Sequence, residues 1–161
     1  EWNLQMSKTT GNTLLQSLFT ANYLLELLSN TDLKNIELTT YHNLGGRVAS
    51  IFVNNKDKIE IQSTYYSMLM IGKIFKNNIV RVDKYDSPIE GVTYKCFNEK
   101  GNQLFTYVID WNLKEIICYD KSLELDGIIE EVHISSNNLF DLPDINGKFE
   151  LDSRIQLISN E

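Results

Sequence analysis

Basic residues are the minority charge in this sequence: 15 Lys and Arg stand against 22 Asp and Glu, a net charge of −7 over 161 residues. No basic stripe is present to meet phosphates, which argues against a nucleic-acid partner and disfavours anionic membrane surfaces. Histidine and cysteine are scarcer still, with two of each. His42 and His133 lie far apart, and Cys96 and Cys118 have no Cys-x-x-Cys spacing, so the sequence offers no metal site. Both cysteines fall in strand-like runs and read as buried core thiols rather than as a disulfide. No apolar run approaches the length of a membrane span. Signal peptide, internal repeat and low-complexity linker are likewise absent from the sequence.

The composition that remains is that of an ordinary folding chain, 42% hydrophobic and 23% charged. Residues 12 to 29 read as a helix. Leu14, Leu18, Ala21, Leu25 and Leu28 share one face, with Leu15, Phe19 and Leu24 widening it. Thr10, Gly11 and Asn12 supply its start signal, and Ser29-Asn30 its stop. Residues 35 to 41 read as a short strand, followed by a loop in which Gly45 and Gly46 give backbone freedom. Val48 to Val53 reads as a second short extended piece, and Asn54 to Lys58 as a turn. Residues 63 to 77 read as a second helix, apolar nearly all round, with Ser63 or Thr64 as its N-cap.

After Asn77-Asn78 the texture changes. Helical periodicity gives way to short alternating runs at Ile79–Asp83, Val92–Phe97, Leu104–Asp110, Glu115–Tyr119, Ile128–Ile134 and Phe149–Ile158. Turn signals separate them: Asp86-Ser87-Pro88, Lys100-Gly101-Asn102, Asp126-Gly127, Pro143-Asp144 and Asn146-Gly147. Six short strands with regular turns suggest an antiparallel sandwich.

The order strand end, helix, strand, helix implies parallel βα units over residues 1–78, followed by an all-β region over 79–161. Two βα units cannot close a barrel or form a sheet covered on both faces. Both helices carry more apolar surface than half a domain buries. The chain also opens on Glu1 rather than Met, in mid-structure. A fragment of a larger protein is therefore expected.

These segments resemble a known family. Glu1-Trp2-Asn3 followed by a long apolar helix is similar to the nucleophile segment of the family 51 α-L-arabinofuranosidases, where an Asp-Glu-Trp-Asn motif ends the seventh barrel strand. Ser17-Leu-Phe-Thr-Ala-Asn-Tyr-Leu-Leu-Glu-Leu-Leu28 resembles the helix after that strand. Ile36 to Tyr41 with His42-Asn43-Leu44 resembles strand eight and its exit. Ser63-Thr-Tyr-Tyr66 leading to Ile71-Gly-Lys-Ile-Phe75 resembles the last barrel helix, which leads into a C-terminal β-sandwich. The xylosidase and heparanase-like groups of the same clan share this plan. The sequence departs from family 51 after strand eight, where Tyr41-His-Asn-Leu-Gly-Gly46 replaces an apolar Val-Asn stretch, and the sugar is left open.

The resemblance implies the last quarter of a (β/α)₈ barrel followed by an antiparallel β-sandwich, belonging to a retaining glycosidase of plant-type oligo- or polysaccharides. It implies Glu1 as nucleophile, and Trp2, His42 and Asn43 at the substrate. It calls for no cofactor and no metal. The acid/base carboxylate would end strand four, in the missing N-terminal barrel segment, so the chain alone is expected to be inactive. Family 51 enzymes are often hexamers, so a homo-oligomer is a further expectation.

Without the resemblance, Glu1 is a solvated terminal charge. Trp2 stacks on a sugar or packs in a loop. His42 and Asn43 bind hydroxyls or serve the loop alone. Tyr65 and Tyr66 read as helix-packing residues, and Trp111 as a sugar platform or a packing residue. Two other functions compete: a non-catalytic carbohydrate-binding β-module, and an interaction domain whose helical half docks on another chain.

Overall fold

The structure, a computed structural model, describes residues 11–33, 36, 39–41, 44–46, 50–55, 58–87, 91–122, 128–142 and 153–157. Helix α1 (Leu14–Ser29) opens the described chain and is followed by a single 3₁₀ turn, Thr31–Leu33. Strands β1 (Phe52–Asn55) and β2 (Lys58–Ile61) pair as an antiparallel hairpin. Helices α2 (Ser63–Ile71) and α3 (Lys73–Lys76) come next. The six strands β3 (Ile79–Ser87), β4 (Gly91–Asn98), β5 (Gln103–Asp110), β6 (Glu115–Asp120), β7 (Ile128–Ser135) and β8 (Ser153–Leu157) then form one antiparallel sheet, each paired with its neighbours in sequence.

The leucine spacing that predicts α1 is the spacing that buries it. Leu14, Leu18, Ala21 and Leu25 recur at helical intervals and are fully buried, whereas Leu28, expected on the same face, is exposed in the last turn. Alternation does the same for the sheet. Tyr94 and Cys96 of β4, Phe105, Tyr107 and Ile109 of β5, and Ile116 and Cys118 of β6 point to one face and are fully buried. Register lines them up in rows: Tyr94, Tyr107 and Cys118 lie side by side, as do Ile109, Ile116 and Ile134. The buried residues of α1, α2 and α3 join this face in a single hydrophobic cluster that spans the change of texture at residue 78.

Polar groups tie the layers together. The Tyr107 hydroxyl donates to the Met70 carbonyl at 3.1 Å. The Tyr94 hydroxyl lies 2.8 Å from both Asn22 Oδ1 and Glu26 Oε1. A phenol has one proton, and the charged Glu26 oxygen is the stronger acceptor. Lys73 Nζ reaches the buried Asp120 carboxylate at 2.8 Å and pins α3 to the end of β6. Burial alone would raise the Asp120 carboxyl. The bonds it accepts from Lys73 and from the Ser122 hydroxyl and amide outweigh that, and hold it below the usual carboxylate range. Cys96 and Cys118 are free buried thiols. Burial first, then the neighbouring Cys118, pushes the Cys96 thiol up to about 12.

The sheet matches the six expected strands in number and order, and every adjacent pair is antiparallel. Elsewhere the structure corrects details. The second helix breaks at Gly72 into α2 and α3. Its N-cap is Gln62, not Ser63 or Thr64, because the Ser63 amide is capped from another element: it donates to Asn12 Oδ1 at 2.7 Å. The stretch read as a turn, Asn54 to Lys58, begins and ends inside strands. Of the strand expected over 35–41, Ile36 and residues 39–41 are described, and none of these lies in a strand.

Two glycines separate backbone need from steric need. Gly91 (φ +78°) and Gly101 (φ +80°) both sit in the left-handed region. A Cβ on Gly91 would stand 2.1 Å from the Ile109 carbonyl oxygen, whereas one on Gly101 would meet nothing within 4 Å. Gly101→Ala is expected to lose about 1 kcal/mol. Gly91→Ala should lose about 2 kcal/mol beyond that, because backbone has to move. Urea midpoints at constant slope measure both, and equal losses would show that the close approach of β4 to β5 does not select Gly91.

Asp120→Asn tests the pin between α3 and the sheet. A depressed folded pKa adds stability above the unfolded value, about 3.9, and loses it as pH falls through the folded value. The stability gap between wild type and Asp120→Asn should therefore be full at pH 6–7 and close in strong acid. A gap that widens towards acid would contradict the assignment. Thermal melts across pH decide it.

Candidate functional site

The two long helices begin at the same end of the molecule. Ser17 Oγ lies 2.5 Å from Ser67 Oγ and 3.2 Å from the Ser63 carbonyl, and Ser67 Oγ donates back to the Ser17 carbonyl at 2.7 Å. With Asn12 capping Ser63, residues 12 to 17 lie beside residues 63 to 67 in the same direction, so α1 and α2 run parallel. Small side chains at Ser17, Ala21, Ser63 and Ser67 permit the close approach. The Ser63 and Thr20 hydroxyls are buried there with no hydrogen-bond partner among the described residues.

Tyr41 closes this end. Its hydroxyl accepts from Gln16 Nε2 at 3.2 Å and lies 3.3 Å from Thr64 Oγ1, so it touches the first turns of both helices. The chain then meets the hairpin. The Phe52 amide donates to the Leu44 carbonyl at 3.0 Å, and the Gly46 amide to the Phe52 carbonyl at 3.2 Å. Phe52 in turn sits 5.7 Å from the Tyr65 ring, and Tyr65 meets Tyr66 edge-on.

Between hairpin and loop lies a cavity of about 450 Å³ lined by Gly45, Gly46, Phe52, Asn54 and Ile59. The volume is in the range of small-molecule sites, but Gly45, Gly46, Asn54 and Ile59 are exposed, so it is an open surface depression rather than an enclosed pocket. Gly45 has an ordinary backbone conformation, and a Cβ there would meet nothing nearer than the Phe52 carbonyl at 4.0 Å. Neither backbone nor packing therefore requires glycine at this position. What its missing side chain preserves is open space. No ionisable group lines the cavity among the described residues, so this wall can hold a ligand's apolar face but cannot move a proton.

The strongly perturbed groups lie elsewhere. Burial, aided by Glu26, raises the Tyr94 phenol, and burial raises the Tyr107 phenol further. Both are core donors rather than acid/base groups. Hydrogen bonding to Glu26 first, and then to Asp86, raises Lys84 at the margin of the sheet. Perturbed groups often mark active sites, but structural networks shift pKa values too, and these are structural. Among the described residues no group of three or more His, Cys, Asp or Glu is arranged to hold a metal ion.

Glu1, Trp2, His42 and Asn43 lie outside the described residues. Tyr41 and Leu44, which flank His42 and Asn43 in the chain, both belong to this helix-start end. Tyr65 and Tyr66 are packing residues. Trp111 sits in the turn between β5 and β6, at the sheet margin. On the sheet face away from the helices, Arg81 covers the Phe97 ring at 4.2 Å, and Lys95 covers Tyr85 at 4.8 Å. Those rings already have cations on one face, which disfavours them as sugar platforms. Sequence reasoning missed Phe52, Asn54 and Ile59. The signal was present in the alternation of Lys58-Ile-Glu-Ile61, a strand pattern hidden by the polar run before it.

No protein-family model, curated protein or solved structure matches the chain.

Gly45→Leu tests the cavity. With open space around the site, the substitution should leave stability within about 0.5 kcal/mol, and it should fill the cavity. A melting temperature that drops by many degrees would show that the protein itself needs Gly45.

Proposed function

We propose that the chain is the C-terminal part of a retaining glycoside hydrolase of the α-L-arabinofuranosidase type, acting on plant-type oligo- or polysaccharides. In this reading residues 1–78 are the last βα units of a (β/α)₈ barrel, and the six-stranded sheet belongs to a C-terminal β-sandwich. The observation that carries it is the parallel pairing of α1 and α2. Parallel neighbours demand that the chain return the length of the first helix before starting the second, about 24 Å for 16 residues. The return here runs from Leu33, just beyond the end of α1, to Tyr41 at its start. A returning connection of this kind supports a βα repeat over the tight antiparallel hairpins of a helical bundle, although the described residues of the return, Ile36 and 39–41, lie in no strand and the antiparallel β1–β2 hairpin follows them.

Barrel enzymes carry their chemistry where the strands end and the following helices begin. That end corresponds to Asn12, Tyr41, the cavity and the start of α2. Glu1 precedes α1 as a nucleophile at the end of strand seven would. Its carboxylate attacks the anomeric carbon while a second carboxyl group from an earlier strand, in its protonated form, gives its proton to the departing oxygen and becomes a carboxylate. Water, deprotonated by that same second group, then hydrolyses the glycosyl ester. Trp2, His42 and Asn43 would meet the sugar. The cavity beside Phe52 would take the apolar face of the substrate.

Expression with the natural upstream sequence tests the reading. The longer protein should hydrolyse an aryl α-L-arabinofuranoside with retention of configuration, and Glu1→Gln should reduce kcat at least about a thousandfold. Residues 1–161 alone should be inactive. Hydrolysis by the short chain that is lost on Glu1→Gln would sink the claim that a second carboxylate lies upstream. Full activity of Glu1→Gln in the longer protein would sink the nucleophile.

A further inference from the structure

Helix α1 is capped by the sheet rather than by its own sequence. Thr13 occupies the N-cap position with an extended backbone and makes no capping bond through its side chain. The first free amides of the helix, at Leu14 and Leu15, donate instead to the carbonyls of Asp141 (3.0 Å) and Leu139 (2.8 Å). Orphan amides at a helix start must find acceptors, and these acceptors come from the turn that leaves β7.

That turn is built to hold its carbonyls in place. The Asp141 carboxylate accepts from the Asn138 amide at 3.1 Å and from the Ser136 hydroxyl. The Asn138 side chain accepts from the Phe140 amide at 3.1 Å, and the Asn138 carbonyl accepts from the Asp141 amide at 3.1 Å. Leu139 packs against the core, and the Ser136 amide anchors the base of the turn to the Lys114 carbonyl. Two short side chains therefore clasp one turn, and the clasped turn grips one helix.

We infer that the turn Ser136–Leu142 is a latch through which the sheet fixes the start of α1. Opening the latch frees the helix-start end while the sheet stays folded. The consequence for catalysis rests on the glycosidase reading, in which Glu1, in the sequence ahead of Leu14, is the nucleophile. The latch itself rests on hydrogen bonds alone.

The experiment is hydrogen exchange on Asp141→Ala, with Asp141→Asn and Asn98→Ala beside it. Asp141→Ala removes the acceptor that folds the turn, whereas Asp141→Asn keeps one oxygen in the same place. Asn98→Ala breaks a similarly clasped turn between β4 and β5, in which Asn98 Oδ1 accepts from the Lys100 and Asn102 amides at 3.0 Å, and which caps no helix. Exchange at Leu14 and Leu15 should quicken at least tenfold in Asp141→Ala, with Tyr94, Phe105 and Ile116 unchanged. Asp141→Asn should stay near wild type, and Asn98→Ala should leave α1 protected. Unchanged rates at Leu14 and Leu15, an equal rise throughout the protein, or the same effect from Asn98→Ala would each overturn the latch. In the longer protein, Asp141→Ala should lower kcat on an aryl furanoside with KM held, and Asp141→Asn should restore it. If that wild-type protein hydrolyses no glycoside, the glycosidase reading falls while exchange still decides the latch. If it does and Asp141→Ala keeps full kcat, the catalytic consequence is wrong.

Discussion

Tyr94 and Tyr107 face each other across β4 and β5 with no exposed surface, so each phenol oxygen has to find a partner away from water. Tyr107 finds the carbonyl of Met70 in α2, and Tyr94 finds Asn22 and Glu26 in α1. These bonds are directional in a way that leucine contacts are not. A helix sliding along the sheet would keep most of its apolar burial but would orphan a buried hydroxyl, at a cost of about 1–3 kcal/mol. The tyrosines therefore set where the helices lie, and the position of the helix-start end follows from them. Asp120 and Lys73 add a third fixed point at the far end of β6.

The sheet was legible because each strand answers to a local rule. Alternation at Tyr94 and Cys96, or at Phe105, Tyr107 and Ile109, names the buried face directly. Gly101, in the turn between β4 and β5, marks where one strand gives way to the next, although the turn Trp111–Lys114 between β5 and β6 carries no such signal. Helix α1 was legible from its leucines for the same reason. Features that depend on a distant partner were not. Nothing near Ser63 announces that Asn12 caps it, and nothing near Leu14 announces that the cap comes from Leu139 and Asp141. The shared core of helices and sheet belongs to the same class. Composition shifts at Asn77-Asn78, but a change of periodicity reports local structure and is silent on which surfaces meet.

The candidate site was legible only in part. Gly45 and Gly46 stand out in any reading, yet their loop becomes a cavity wall only because Phe52, Asn54 and Ile59 come round from a hairpin that the polar run from Asn54 to Lys58 conceals. The residues assigned to chemistry, Glu1, Trp2, His42 and Asn43, came from a resemblance in the order of segments. Their side chains lie outside the described residues, and the geometry speaks only for their neighbours. What the described residues contribute is an end of the molecule where two parallel helices start, a tyrosine joins them, and an apolar cavity opens beside them.

The meander has a consequence for how the chain folds. Each strand of the sheet pairs only with strands adjacent in sequence, so the sheet is a run of short-range contacts of the kind that form quickly. The grip on α1 is the opposite case, joining Leu14 and Leu15 to Asp141 and Leu139, more than a hundred residues later. During synthesis α1 leaves the ribosome well before Leu139 and Asp141 exist outside it. For that interval its first amides have only water as a partner, and the helix-start end takes its final form after the sheet has. An end of the molecule that is ordered last is also the one most open to chaperones while the chain is still being made.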